Sequence, residues 1–132
     1  MSEKTIIRVR DVMKPDFDMV EGMDTVASVL KNFSHPEAKC FIVNIRHEDD
    51  EYGIVLLSDI AKQVLAKDRS PERVNIYEIM SKPVISVPPE MDIRYCARMF
   101  EQFGLSRATV IEAGRMVGIV SFTDMVMKSF VD

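Results

Sequence analysis

Residues 118–125 read GIVSFTDM, and residues 53–60 read GIVLLSDI in the same order. Two shorter matches accompany this pair: VRDVM at 9–13 with IYEIM at 76–80, and FIV at 41–43 with TVI at 109–111. The matched positions lie about 65–68 residues apart all along the chain, which is the signature of an internal repeat. The sequence therefore predicts two copies of one unit that cover nearly the whole chain.

The second copy carries the local signals of an α/β unit. A brief strand over 84–87 is expected to stop at Pro88, because proline cannot donate to a sheet ladder. Asp92 is a candidate N-cap for a helix over 93–103, and Gly104 is expected to end that helix. The pattern then predicts a strand over 108–111, a hairpin turn at 113–115, a return strand over 116–120 and a last helix from Thr123.

The first copy repeats this order. Thr25 is predicted to cap a helix, strands are expected over 40–45 and 52–57 around an acidic loop at 46–51, and a helix over 59–66 follows. The predicted domains are repeat 1 over residues 1–66, a charged linker over 67–73 and repeat 2 over 74–132. Copies of about 60 residues are marginal alone, so their sheets are expected to pack together and leave clefts at the seam.

Composition and charge exclude several classes of function. The 132 residues carry a net charge of −4, which argues against nucleic-acid binding and against an anionic membrane surface. No apolar run approaches the roughly 20 residues of a membrane helix, and the first residues lack a signal-peptide pattern, so a cytoplasmic protein is expected. Cys40 and Cys96 lack metal-ligand spacing and are predicted to be buried free thiols, not a metal site.

No catalytic motif is present in the sequence. His35 and His47 are its two histidines, and neither lies in a nucleophile or metalloprotease context. Phosphate-binding and dinucleotide-binding glycine loops are also missing. The chain is therefore predicted not to be an enzyme and to require no cofactor.

The stretch 118–125 has the chemistry of a phosphate and ribose site. It runs from a strand into a helix N-terminus, where free amides donate hydrogen bonds to phosphate oxygens. Ser121 and Thr123 add hydroxyl donors, Gly118 is expected to let a ligand approach the backbone, and the Asp124 carboxylate suits the two hydroxyls of a ribose. The alternative is plain helix capping, for which Ser, Thr and Asp are the favoured residues.

A tandem repeat of this order, with a glycine-aliphatic strand and a Ser/Thr-Asp helix start in each copy, resembles the CBS-domain pair, also called a Bateman module. The resemblance covers residues 8–130. It implies an α/β fold of two repeats about a pseudo-two-fold axis and, commonly, a disc-shaped homodimer. It also implies a regulatory function: an adenosine nucleotide (AMP, ADP, ATP) or S-adenosylmethionine binds in the cleft between repeats and signals to an enzyme or transporter in trans.

The resemblance assigns the ribose to Asp124 and phosphate to Ser121 and Thr123. Arg107 is a further candidate for phosphate and is preferred over Lys39, its counterpart in the first copy, because a guanidinium grips phosphate through two parallel hydrogen bonds. Lys82, close to the base-binding strand, is a candidate for additional positive charge. The base is expected between four aliphatic residues of two strands, namely Val84, Ile85, Ile119 and Val120.

A second, weaker site is predicted in the first copy, with Asp59, Ser58 and Lys39 as its residues; Lys39 is taken as the counterpart of Arg107. Leu56 stands where the other copy has Ser121, so one hydroxyl is missing. Asp16 and Asp18 are expected at the base-binding strand, where carboxylates are poor neighbours for a nucleotide. Capping is therefore the favoured interpretation of Asp59, and a ligand-free interaction module is the alternative function for the chain.

Overall fold

The computed structural model of the chain describes residues 5–82 and 85–131. Its strands are β1 (Asp18–Val20), β2 (Cys40–Val43), β3 (Gly53–Leu56), β4 (Ser86–Val87), β5 (Arg107–Glu112) and β6 (Arg115–Ser121). Its α-helices are α1 (Val9–Val12), α2 (Val26–Lys31), α3 (Leu57–Ile60), α4 (Ile93–Phe103) and α5 (Phe122–Phe130). A π-helical segment, Ala61–Leu65, continues α3, and 3-10 turns lie at Pro36–Ala38, Pro71–Arg73 and Ile76–Glu78. The α/β order predicted for both copies is confirmed.

The strands form two three-stranded sheets with the same topology. In the first sheet β1 pairs parallel with β2, and β2 pairs antiparallel with β3. In the second sheet β4, β5 and β6 are related in the same way. The β5–β6 connection is a tight turn in which Ala113 and Gly114 both have positive φ, 52° and 77°, as a two-residue hairpin turn requires.

The caps of two helices follow the local sequence signals. The Thr25 hydroxyl accepts a hydrogen bond from the Ser28 amide at the start of α2. The Asp92 carboxylate accepts from the Arg94 amide at the start of α4. The Arg94 side chain and amide together lower the pKa of Asp92 to about 2. Gly104 ends α4 with a left-handed φ of 67°, the conformation that favours glycine. The predicted caps at Thr25 and Asp92 and the predicted helix end at Gly104 are confirmed.

The chain divides into two compact units, each of which combines residues of both sequence copies. Residues 16–82 form one unit, here called the Asp59 unit. Residues 5–15 and 85–131 form the other, called the Asp124 unit. The opening segment of the first sequence copy thus belongs to the unit built on the strands of the second copy.

In the Asp124 unit, the segment 5–15 is held by backbone hydrogen bonds. The Val9 amide donates to the Met91 carbonyl at 2.8 Å. Further along the segment, Lys14 and Ile119 exchange two hydrogen bonds, of 2.8 and 2.9 Å, which adds a short antiparallel bridge to β6. The segment is therefore an integral part of this unit.

In the Asp59 unit, the stretch 74–82 takes the equivalent place. The Val26 amide donates to the Val74 carbonyl at 2.9 Å. Ser81 and Ile54 exchange two hydrogen bonds, of 3.0 and 3.3 Å, which bridges this stretch to β3. Each sheet therefore receives one bridging segment, from the part of the chain that precedes the other copy's strands.

Each unit has its own apolar core. The core of the Asp59 unit consists of Val20, Val26, Val29, Phe41, Val43, Val55, Val64, Val74, Ile76 and Ile79. That of the Asp124 unit consists of Val9, Val87, Ile93, Cys96, Phe100, Ala108, Val110, Val120 and Met125. Both cysteines are buried free thiols, as predicted, and burial raises the pKa of Cys96 to about 11. No helix within residues 5–82 and 85–131 is long and apolar enough to cross a membrane.

Candidate functional site

The Asp124 carboxylate lies at the junction of β6 and α5 and takes part in helix capping. Its Oδ2 accepts hydrogen bonds from the Ser121 hydroxyl at 2.9 Å and from the Ser121 amide at 3.2 Å. The Asp124 amide donates in turn to Ser121 Oγ at 3.2 Å. The first turn of α5 is thus closed by a capping box, and Ser121, rather than Thr123, is the N-cap. Ligand binding at Asp124 would have to be compatible with this box.

The other carboxylate oxygen of Asp124 is paired with Lys14. The Lys14 ammonium contacts Oδ1, and the Asp124 side chain is only 10% exposed while that of Lys14 is 37% exposed. The contact arises because the bridge to Ile119 fixes the Lys14 backbone beside β6. The sequence analysis did not identify Lys14 as a site residue. Lys14 directly follows the stretch 9–13, which matches 76–80, and its carbonyl lies against Gly118.

Gly118 is needed for a close approach, but the approaching group is the chain itself. A Cβ atom at this position would lie 2.8 Å from Met13 Sδ and 2.9 Å from the Lys14 carbonyl oxygen. These distances are too short for any side chain to fit without movement. The expectation that this glycine opens the backbone to a ligand is therefore corrected, because the segment that bridges β6 occupies the space.

Arg107 lies next to the capping box. The β5–β6 register places it directly opposite Ser121, with Thr109 opposite Ile119. Side chains alternate along a strand, so these four residues share the sheet face that does not point to the core. Thr109 is fully buried, and its hydroxyl makes no hydrogen bond to any residue that the structure describes. Arg107 is half-buried.

The remaining candidates of the Asp124 unit have different environments. Thr123 is exposed on the first turn of α5. Val120 is part of the core, Ile119 is buried, and Ile85 is exposed. Val84 lies outside the described residues.

Lys82 lies in the Asp59 unit and pairs with the acidic loop. Its ammonium is 2.6 Å from Asp50 Oδ1. This contact, together with the backbone amides of Arg46 and Glu51, holds the pKa of the Asp50 carboxyl well below its usual range. The loop at 46–51 is therefore anchored by an ion pair.

The Asp59 junction repeats the plan of Asp124 with fewer polar groups. Asp59 Oδ2 accepts from the Leu56 amide at 2.8 Å, while Leu56, the N-cap of α3, supplies no hydroxyl. Ser58 is exposed. Ser81 stands where the other unit has Lys14, as the two bridges show.

One expectation about the first copy, the place of Lys39, is corrected by the register. Cys40 lies opposite Leu56 as Arg107 lies opposite Ser121, so Cys40 is the counterpart of Arg107. Lys39, which is exposed with a positive φ of 59°, lies one residue earlier. Asp18 lies where it was expected, one residue before Met19, which pairs with Ile42 as Ser86 pairs with Thr109. Its carboxylate accepts hydrogen bonds from the amides of Ser34 and His35, at 2.8 and 2.7 Å.

Taken together, the β6–α5 junction joins a carboxylate, an ammonium and hydroxyl groups at a helix N-terminus. The carboxylate can accept hydrogen bonds from a diol, and the ammonium can hold an anion. Among residues 5–82 and 85–131, no three His, Cys, Asp or Glu side chains are grouped in a way that could hold a metal ion. The carboxylate and the ammonium are thus chemically suited to a ligand that has both hydroxyl and anionic groups.

Comparisons with known proteins agree with this fold. The family model of the CBS domain matches residues 76–130. The hexameric CBS-CP12 protein from bloom-forming cyanobacteria is 35% identical, with a TM-score of 0.88 over 95% of this chain and 69% of that chain. The CBS domain pair of protein MJ0100, solved with 5′-methylthioadenosine and S-adenosyl-L-methionine, is 22% identical, with a TM-score of 0.77 over 95% of this chain and 97% of that one.

Among curated proteins, the uncharacterized protein MK0525 of Methanopyrus kandleri is 28% identical over 112 residues, which are 82% of this chain. The chain spans about half the length of the curated relatives it matches, between 44% and 59%. The fold of tandem repeats predicted from the sequence is confirmed by these similarities.

Proposed function

This chain belongs to the CBS-domain family, and on that premise we propose that it is a regulatory module that binds an adenosine-containing nucleotide at the β6–α5 junction. Occupancy of the junction is then signalled to a partner protein in trans. The observation that carries this proposal is the arrangement of the Asp124 carboxylate, the Ser121 hydroxyl and the Lys14 ammonium at the N-terminus of α5.

The chemistry of the junction matches the parts of such a ligand. A ribose offers two adjacent hydroxyl donors, and Asp124 is a carboxylate whose Oδ1 becomes available when the Lys14 ammonium moves away. Phosphate oxygens can then be held by that ammonium and by the exposed hydroxyl of Thr123. The two compounds bound to the related CBS pair of protein MJ0100 are both adenosine derivatives, which supports this ligand class.

Binding at this place has a direct route to a conformational signal. Lys14 belongs to the segment 5–15, which is held to the Asp124 unit by backbone hydrogen bonds. A ligand that displaces its ammonium acts on this segment, and it shifts the protein toward whichever arrangement it binds better. A partner that contacts the segment can detect the change.

The proposal is tested by calorimetric titration and thermal unfolding with AMP, ADP, ATP, S-adenosylmethionine and GMP. Asp124→Asn keeps the size of the side chain and its capacity to cap α5, but removes the carboxylate; Asp59→Asn is the matched control in the other unit. A ligand at a hundred times its Kd stabilises the wild type by about 2.7 kcal/mol. We expect Asp124→Asn to weaken adenosine-ligand binding at least about tenfold, while Asp59→Asn retains it.

A second candidate function is that of an interaction module without a ligand. It is favoured by the apolar residues on α5 that lie at the surface, where Val126, Met127 and Phe130 are 48%, 49% and 82% exposed. Such a patch is typical of a surface that docks a protein, and the related CBS-CP12 protein is hexameric. If the folded wild type binds none of the compounds, and Phe130→Ser disrupts self-association in sedimentation, this second function replaces the first.

A further inference from the structure

We infer that Lys14 makes the β6–α5 junction selective for adenosine ligands that carry a phosphate, and against adenosine itself and cationic S-adenosylmethionine. This inference rests on the proposed function and names the ligand class of the same site. It follows from the single contact between the Lys14 ammonium and Asp124 Oδ1.

The backbone of Lys14 is held at the junction, so only its side chain can move. Two backbone hydrogen bonds hold Lys14 to Ile119 in β6, and Gly118 is enclosed by Met13 and by the Lys14 carbonyl. The side chain is nevertheless more than one-third exposed, so it can rotate about its own bonds. A ligand at Asp124 therefore meets a tethered cation whose position changes but whose charge remains.

A ribose at Asp124 has to displace this cation. Oδ2 is already occupied by the Ser121 hydroxyl and amide, so Oδ1 is the oxygen that a ribose hydroxyl would use, and Lys14 contacts that oxygen. Displacement leaves the ammonium beside the ligand without its counter-ion. An anionic phosphate replaces the lost partner, and the exchange of one ion pair for another has little net cost.

Ligands without a phosphate leave the cation unpaired. Adenosine offers no anion to Lys14, and in S-adenosylmethionine the group attached at that end of the ribose is a positively charged sulfonium, while its carboxylate lies several bonds farther away. Because charge-assisted hydrogen bonds are worth more than neutral ones, we expect AMP to bind at least about tenfold more tightly than adenosine. S-adenosylmethionine is expected to bind more weakly than adenosine because like charges repel.

The experiment compares the affinities of AMP, adenosine and S-adenosylmethionine by calorimetric titration of the wild type, Lys14→Met and Lys14→Arg. Lys14→Met keeps the length of the side chain and removes its charge. We expect AMP to lose at least about tenfold in affinity, while adenosine binds equally or more tightly, because Oδ1 of Asp124 is now free. Lys14→Arg, which retains a phosphate-binding charge, is expected to keep the preference for AMP.

The matched control is Lys67→Met, which removes the same charge from the Asp59 unit, where Lys67 contacts the side chain of Gln63. It is expected to leave the ratio of AMP to adenosine affinity unchanged. A titration of the wild type at rising salt gives a measurement that does not depend on any variant folding. The ratio of AMP to adenosine affinity is expected to fall with rising salt, because AMP replaces the ion pair of Lys14 with Asp124 by a new one, whereas adenosine only breaks it.

The outcomes separate the inference from the proposed function. Equal affinities of the wild type for AMP and adenosine, or an unchanged ratio in Lys14→Met, overturn the inference while ligand binding stands. A purely structural role for Lys14 would weaken all three ligands together, and this result overturns the inference as well. If no adenosine compound binds to the folded wild type, the proposed function itself fails.

Discussion

The β6–α5 junction and the β3–α3 junction have the same backbone plan but different polar groups. In each, an aspartate follows the N-cap by three residues and accepts a hydrogen bond from the N-cap amide: Asp124 from Ser121 at 3.2 Å, and Asp59 from Leu56 at 2.8 Å. Only the first junction has a hydroxyl at the N-cap. The capping acceptor is therefore common to both copies, whereas the additional polar groups distinguish them.

The two junctions also differ in the side chain that a bridging segment places beside the aspartate. Lys14 pairs with Ile119, and Ser81 pairs with Ile54 in the same antiparallel manner. Asp124 follows Ile119 by five residues, as Asp59 follows Ile54. The two segments thus present their side chains at equivalent places, and one carries an ammonium where the other carries a short hydroxyl. Duplicated units can diverge in ligand binding by changing a few such positions without changing the fold.

The largest effect is expected for the glycines that the bridging segments cover. Gly118→Ala brings Cβ within 2.8 Å of Met13 Sδ and 2.9 Å of the Lys14 carbonyl oxygen, and a backbone atom held by hydrogen bonds cannot yield easily. We expect the free energy of unfolding to fall by about 2–3 kcal/mol, measured by urea denaturation.

Gly53→Ala is the matched variant in the other unit. Its Cβ would lie 3.1 Å from Met80 Sδ and 3.2 Å from Val43 Cβ, so its closest neighbour is a flexible side chain. A loss of about 1 kcal/mol is expected. Equal losses of unfolding free energy in the two variants would contradict the argument that the Lys14 backbone leaves less room for a Cβ atom at Gly118 than there is at Gly53.

A smaller effect is expected from the N-cap hydroxyl. Ser121→Ala removes the acceptor of the Asp124 amide and a donor to its carboxylate, and should cost about 1 kcal/mol of unfolding free energy. Ser58→Ala is the control in the other junction, because Ser58 is exposed and makes no side-chain hydrogen bond within the described part of the chain. Its unfolding free energy should stay within about 0.5 kcal/mol of the wild type in denaturant titrations. A loss in Ser58→Ala as large as that in Ser121→Ala would contradict the assignment.

Local signals in the sequence were sufficient to predict the repeats, the strand order and several helix ends. Thr25, Asp92 and Gly104 act through hydrogen bonds and backbone angles within a few residues, so they can be recognised without tertiary information. The aspartate and hydroxyl of the candidate site were identified for the same reason. Whether they bind a ligand remains a prediction.

The contacts made by the bridging segments could not be predicted in the same way. The stretches 9–13 and 76–80 have one pattern, so the sequence contains no preference for one sheet over the other. The pairing of Lys14 with Asp124 depends on this choice and spans 110 positions of the chain. The pairing of Lys82 with Asp50 likewise depends on how the loop at 46–51 folds back.

The smallest expected effect tests the equivalence of the two junctions directly. Ser81→Lys places an ammonium where the Asp59 unit lacks one, and the shared register predicts that it reaches the Asp59 carboxylate. Because the new pair is partly exposed, we expect a gain of about 0.2–1 kcal/mol in unfolding free energy, which decreases at high salt. The same substitution in an Asp59→Asn background should give no gain, since the pairwise term of a double-mutant cycle disappears with the partner. An equal gain in both backgrounds would mean that the ammonium acts elsewhere, and the junctions would then differ in geometry as well as in side chains.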